Sequence, residues 1–179
     1  MTEHCLEGGV PFGIVLRDNE GARSIGCLAQ IEEVLEQFED GRSNILSRGT
    51  EPFRVLDRIE TEEWPEAEIE RIDDDVSEHE GPDSVTARET FASIATRATG
   101  EKLDPSELEG TTAYEIAARI ELPITTKQIL LEQRNEAERM TLLANALEAL
   151  ERALDQSEEA SERAKTNGSV SSNGGGPHS

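Results

Sequence analysis

The sequence predicts an α+β chain, β-rich over residues 1–78, helical over 79–164, and disordered over the tail 165–179. Three observations carry this. The first half alternates apolar and polar residues between Gly- and Asp-centred turns. The second half changes to three-and-four spacing behind Ser, Thr, Asn and Asp cap residues. The last residues, TNGSVSSNGGGPHS, hold too little apolar surface to order themselves.

In chain order, Phe12, Ile14 and Leu16 alternate up to the turn Asp18-Asn19-Glu20-Gly21, and Ile25, Cys27, Ala29 and Ile31 alternate after it. This reads as a hairpin. A second pair is expected around Asp40-Gly41-Arg42: Ile45 and Leu46 lead to Gly49, then Phe53, Val55 and Leu56 resume before Ile59. Ala67 to Ile72 is a further strand, and the acidic run from Asp73 to Asp83, with Gly81-Pro82, marks the switch to helix.

Asp83 or Ser84 is expected to cap a helix that stops at Gly100, a residue type suited to the left-handed end position. Asp104-Pro105-Ser106-Glu107 pairs an N-cap with a first-turn proline in a short piece. Thr112-x-x-Glu115 and Thr125-x-x-Gln128 both have the form of reciprocal caps, so two helices start there, separated by Leu122-Pro123. Asn135 with Glu138 starts the longest helix, on which Met140, Leu143, Leu147, Leu150 and Leu154 form one apolar seam. About two heptads fall short of the three or four a free coiled coil needs, so packing within the chain is the expected use.

Composition excludes several functions. With 39 Asp and Glu against 17 Lys and Arg, the net charge of −22 repels phosphate backbones and anionic lipid, which argues against nucleic-acid and membrane partners. An acid-rich, Lys-poor surface also suits a salty cytoplasm, where screening weakens self-repulsion. Cys5 and Cys27 are too few for a disulfide framework and lack metal-ligand spacing. No apolar stretch is long enough to span a bilayer, and a cytoplasmic location is expected.

The strands carry a resemblance. F-G-I-V-L at 12–16, G-C-L-A-Q-I at 26–31, D-G-R-S-N-I-L-S-R-G at 40–49 and P-F-R-V-L-D at 52–57 are similar, in order and spacing, to the substrate-binding domain of Lon proteases. A-Y-E-I-A at 113–117, K-Q-I-L-L-E at 127–132 and the helix from Arg139 resemble that family's helical part, so the likeness spans about residues 4–155. Pro52 stands where the family pattern has Arg. The resemblance implies a PUA-like pseudo-barrel lobe followed by a helical bundle lobe. It also implies opening strands, of L-P-L-F-P-L and L-H-I-F-E type, that this sequence does not hold ahead of Phe12: either the true start codon lies further upstream, or the strands are absent, in which case a sheet edge is left open for pairing.

The implied function is non-catalytic recognition of polypeptides, by an apolar groove or an unpaired strand edge, in the service of protein degradation. Polypeptide substrates or a protease are the implied partners. The alternative is an assembly or adaptor protein that docks a partner on the helix over 135–156. No catalytic, cofactor-binding or metal residue is assigned, no cofactor is expected, and peptide-binding residues and oligomeric state are left open. Gly100-Glu101-Lys102 lacks the upstream glycine and the hydroxyl of a phosphate loop, and no G-x-S-x-G elbow occurs. His4, His79 and His178 lie at the start, in the acidic connector and in the tail, away from any nucleophile. His79 among Glu78, Glu80 and Asp83 reads as a solvated charge run. Gly26, Gly41 and Gly49 are expected to serve turns or close backbone approach, Phe53 the core, and Arg42 a turn-stabilising hydrogen bond.

Overall fold

The computed structural model describes residues 2–19, 21–60, 64–75 and 81–168. In chain order these form helix α1 (Thr2–Gly8), strands β1 (Phe12–Asp18), β2 (Gly21–Gln37), β3 (Ser43–Ile59) and β4 (Glu66–Arg71), helix α2 (Pro82–Thr99), a 3-10 turn (Pro105–Leu108), and helices α3 (Ala113–Ala117), α4 (Ile124–Glu132) and α5 (Glu136–Gly168). The class is α+β. Contacts divide the chain into two units, Met1–His79 with Leu122–Arg139, and Glu80–Glu121 with Met140–Ser179. The helical half is thus interrupted: residues 122–139 cluster with the strands.

In the first unit the strands form one antiparallel sheet in the order β1-β2-β3-β4, so β1 and β4 are its two edges. The predicted Asp18–Gly21 turn is present, with Asp18 and Gly21 as the last paired residues. The predicted second hairpin differs. β3 does not stop at Gly49 but runs through it as one strand, because Gly49 pairs with Ala29 and Glu51 with Leu28, and Thr50 is the extra residue between them. The Thr50 hydroxyl donates to the Leu28 carbonyl at 3.1 Å, which satisfies an acceptor that the bulge takes out of the ladder. Pro52, which has no N–H to donate, sits two residues on, and its carbonyl accepts from Ile72 N–H. Further register shifts near Glu32, Leu35 and Leu56 bend the long strands. Beyond Ala29 and Glu51 the β2–β3 hairpin continues as a two-stranded arm to the turn at Asp40. There Arg42 donates from Nε to Asp40 at 2.8 Å, as the turn chemistry predicts, and lies over the Phe38 ring.

α4 and the first turn of α5 belong to the same unit. The expected reciprocal cap at Thr125 does not form: α4 begins at Ile124 behind Pro123, and the Gln128 amide donates instead to the Ile25 carbonyl of β2 and to Glu132. Asn135 does cap α5, its side chain accepting from Glu138 N–H. Arg139, 1 % exposed, spends its N–H groups on Asp74, Glu136 and the carbonyls of Leu130 and Gln133, and so ties the α4–α5 corner to the segment after β4.

The second unit has an apolar core of Ala87, Phe91, Ile94, Leu108, Ala113, Ile116, Met140, Leu143 and Leu147. Gly81, two or three residues ahead of the expected Asp83 or Ser84, is the N-cap of α2. Ser84 lies inside the first turn, where its hydroxyl accepts from Gly81 N–H, and Gly100 closes the helix at φ +76° as expected. Thr112 and Glu115 form the predicted box at the start of α3. Asp83 meets Thr141, Ser93 meets Glu151 and Arg97 meets Asp155, each pair 58 residues apart. A constant offset means that α2 and α5 run parallel. α5 extends past the fading of its seam at Ser157 to Gly168, helped by pairs such as Glu159–Arg163, so residues 165–168 are helical rather than part of a tail. Residues 169–179 lie outside the described residues.

Candidate functional site

Strand geometry puts alternate residues on one face, and the pairings fix which residues share it. Gly13 faces Leu28, Val15 faces Gly26, Gly26 faces Phe53, Val55 faces Ile69, and across the shifts Arg17 faces Ala22 and Arg58 faces Ala67. All of these lie on the same side of the sheet. They line a trough of about 470 Å³ whose rim also includes Pro11, Pro65 and Glu66. That volume is in the range of roughly 300–1,000 Å³ found for small-ligand sites.

Phe53, 2 % exposed, forms the floor. Its ring lies on the two glycines, so a Cβ at Gly13 would stand 2.9 Å from the ring, and one at Gly26 2.7 Å from it and 2.5 Å from the Ile14 carbonyl. The glycines of F-G-I-V-L and G-C-L-A-Q-I are there for close approach. Val15, Val55 and Ile69 remain half-buried walls. In β1 and β2 the face singled out by alternation in the sequence is the opposite one, and Ile14 on it is 50 % exposed, whereas Phe53 and Val55 of β3, also singled out, do lie on the trough face. Gly13, Val15 and Arg17 were missed because a glycine, a valine and an arginine do not read as one face. Their phase relative to Phe12, Ile14 and Leu16 is the only signal of it.

The trough is also polarised. Arg17 and Arg58 come from the last residues of β1 and β3, Ala22 and Ala67 from the first of β2 and β4, so in an antiparallel sheet they share one end. Phe53, Leu28 and Gly13 lie further in. Every other arginine of this unit is paired: Arg23 with Asp18, Arg42 with Asp40, Arg48 with Glu32, Arg54 with Glu70, Arg71 with Glu51, Arg134 with Asp75, and Arg139 with Asp74 and Glu136. Among the described residues, Arg17 and Arg58 have no carboxylate within ion-pair distance.

Other groups are structural by their contacts. Burial pushes the Cys27 thiol above its ordinary value, opposed by backbone hydrogen bonds from Thr50 and Glu51, and its Sγ donates to the Leu28 carbonyl at 3.2 Å. Such a thiol is a poor nucleophile. His4 stacks obliquely on Trp64 with ring centroids 5.6 Å apart. His79, with Glu78 and Glu80, and His178 lie outside the described residues. Among the described residues no three His, Cys, Asp or Glu side chains are grouped as metal ligands. On the α5 seam, Met140, Leu143 and Leu147 are buried within the helical unit, which leaves only Leu150 and Leu154 partly exposed.

Comparison with known proteins agrees with this architecture. The fold is similar to that of a Lon N-terminal domain protein from Xanthomonas campestris, at a TM-score of 0.57 and 19 % identity over 79 % of each chain. It is also similar to the N-terminal domain of Mycobacterium avium complex Lon protease, at 0.56 and 17 % over 77 % of each. The model of the ATP-dependent protease La (Lon) substrate-binding domain matches residues 1–149, and by that match the chain belongs to the Lon substrate-binding domain family.

Proposed function

We propose that this chain recognises polypeptides on the sheet face, with the trough over Phe53 as the contact surface, and that it does so as a binding module rather than an enzyme. The observation that carries the reading is an apolar concavity that the described side chains leave open. The family's role in substrate binding supports the same reading. Supply of clients to a protease is the corresponding cellular role, with the β-rich lobe over 1–78 as the recognising part. The charge of −22 disfavours nucleic acid and anionic lipid as ligands. Two free cysteines fit a reducing cytoplasm, and among the described residues no helix is long and apolar enough to cross a membrane.

Fluorescence anisotropy with a labelled polypeptide held unfolded by reduction and alkylation of its disulfides tests the reading against the same polypeptide in its native, disulfide-bonded form. Binding of the unfolded form, weakened about tenfold or more by Val55→Asp through the cost of burying an unpaired carboxylate, is the expected result. Equal affinity for the folded form, or indifference to Val55→Asp, would sink it.

A further inference from the structure

We infer that the trough reads the C-terminal end of a polypeptide, with an apolar last side chain inside and the α-carboxylate at the mouth between Arg17 and Arg58. The inference rests on the recognition reading above and names its ligand class. The carrying observation is charge. In a chain with 39 acidic residues, Arg17 and Arg58 are the arginines of the sheet unit without an acidic partner among the described residues, and both open onto one cavity. A net charge of −22 repels anions at a distance. An anion is therefore held here by short-range, charge-assisted hydrogen bonds, and a guanidinium is built to offer two parallel N–H donors to a carboxylate.

Shape separates a chain end from a mid-chain segment. The cavity lies on the face of the sheet rather than along the open backbone of β1 or β4, so a ligand gains side-chain burial there and not ladder hydrogen bonds. A volume of about 470 Å³ belongs to the size class of drug-sized ligands, equivalent to a few residues of chain. Phe53 closes it from below, with Val15, Val55 and Ile69 as walls. An end that enters with its apolar side chain toward Phe53 leaves its carboxylate at the arginine end. A segment that must both enter and leave has no use for two cations at one end.

The test uses the whole chain and a labelled eight-residue peptide ending in two leucines, as the free acid and as the C-terminal amide. Anisotropy is expected to show the amide bound about tenfold more weakly, the size of one lost charge-assisted interaction. In Arg17→Gln/Arg58→Gln, with circular dichroism and thermal midpoint as folding controls, acid and amide should bind alike, at the wild-type amide's affinity. Arg17→Lys/Arg58→Lys should restore part of the preference. Equal binding of acid and amide by the wild type overturns the inference, while loss of both with Val55→Asp leaves the recognition reading standing. No binding of either peptide, where unfolded polypeptide does bind, also overturns it. Complete displacement of the acid peptide by decanoate at lower concentration reassigns the trough to fatty acids, and the inference fails.

Discussion

The helical unit buries Phe91, Ile94, Leu108, Ile116, Met140, Leu143 and Leu147 together with a single arginine, Arg88, and ion pairs such as Arg97 with Asp155 and Glu158 stay on the surface. The sheet unit buries fewer large apolar side chains, chiefly Leu28, Phe53, Leu122 and Leu130, and places a guanidinium and a carboxylate in its interior. Of its other apolar residues, Val15, Val55 and Ile69 stand half-open around the trough, while Ile14, Leu35, Leu46 and Leu56 are exposed away from it. Burial of apolar area is the main stabilising term in folding. A sheet face left partly uncovered gives up some of that term and in exchange presents a surface on which another molecule can gain it.

The contrast can be broken most sharply at Arg139. Arg139→Ala leaves Glu136 buried and opens the α4–α5 corner, and should lower unfolding free energy by about 3–5 kcal/mol in urea titration. Arg139→Met with Glu136→Leu should recover most of it, because two apolar residues leave no charge behind. If the single substitution costs under about 1 kcal/mol, the polar interior of the sheet unit is not what holds it. Next comes Leu147→Ala, expected to cost about 2–5 kcal/mol by the same measurement, against under about 1 kcal/mol for Val55→Ala at the half-open wall.

Gly26→Ala forces a methyl group to within 2.5 Å of the Ile14 carbonyl and 2.7 Å of the Phe53 ring, and about 1–3 kcal/mol is expected, with a change in near-ultraviolet dichroism as the ring shifts. The smallest effect is at the start of α3. Thr112→Ala removes a cap worth about 1 kcal/mol. It also removes the hydroxyl hydrogen bond that, second to the Thr112 backbone N–H which alanine keeps, holds the Glu115 carboxyl below its ordinary value. A lowered carboxyl contributes stability that is complete above the ordinary glutamate range and is lost as pH falls through the folded value. The gap between Thr112→Ala and wild type should therefore be full at neutral pH and narrow in acid, as thermal midpoints across a pH series will show.

Features that depend on a few adjacent residues were legible from sequence: the Asp18–Gly21 turn, the Thr112/Glu115 box, the Asn135 cap and the Gly100 stop. Features settled by distant partners were not. Gly49-Thr50-Glu51-Pro52 looks like a break, yet β2 on one side and the Thr50 hydroxyl on the Leu28 carbonyl carry the strand through it. Thr125-x-x-Gln128 looks like a cap, yet the Gln128 amide is used on Ile25, 103 residues away. The trough stayed hidden for the same reason. Its walls come from four strands, and its two cations are distinguished only by what does not pair with them.

The parallel register of α2 and α5 has a bearing on how the chain comes into being. Each residue of α2 waits for a partner made 58 residues later. At roughly 5–20 residues per second that is an interval of about 3–12 s. Phe91 and Ile94 emerge well before Leu143 and Leu147, so the nascent helix spends seconds with its apolar stripe unmatched. During synthesis, a module read here as a receptor for exposed apolar chain is itself such a chain.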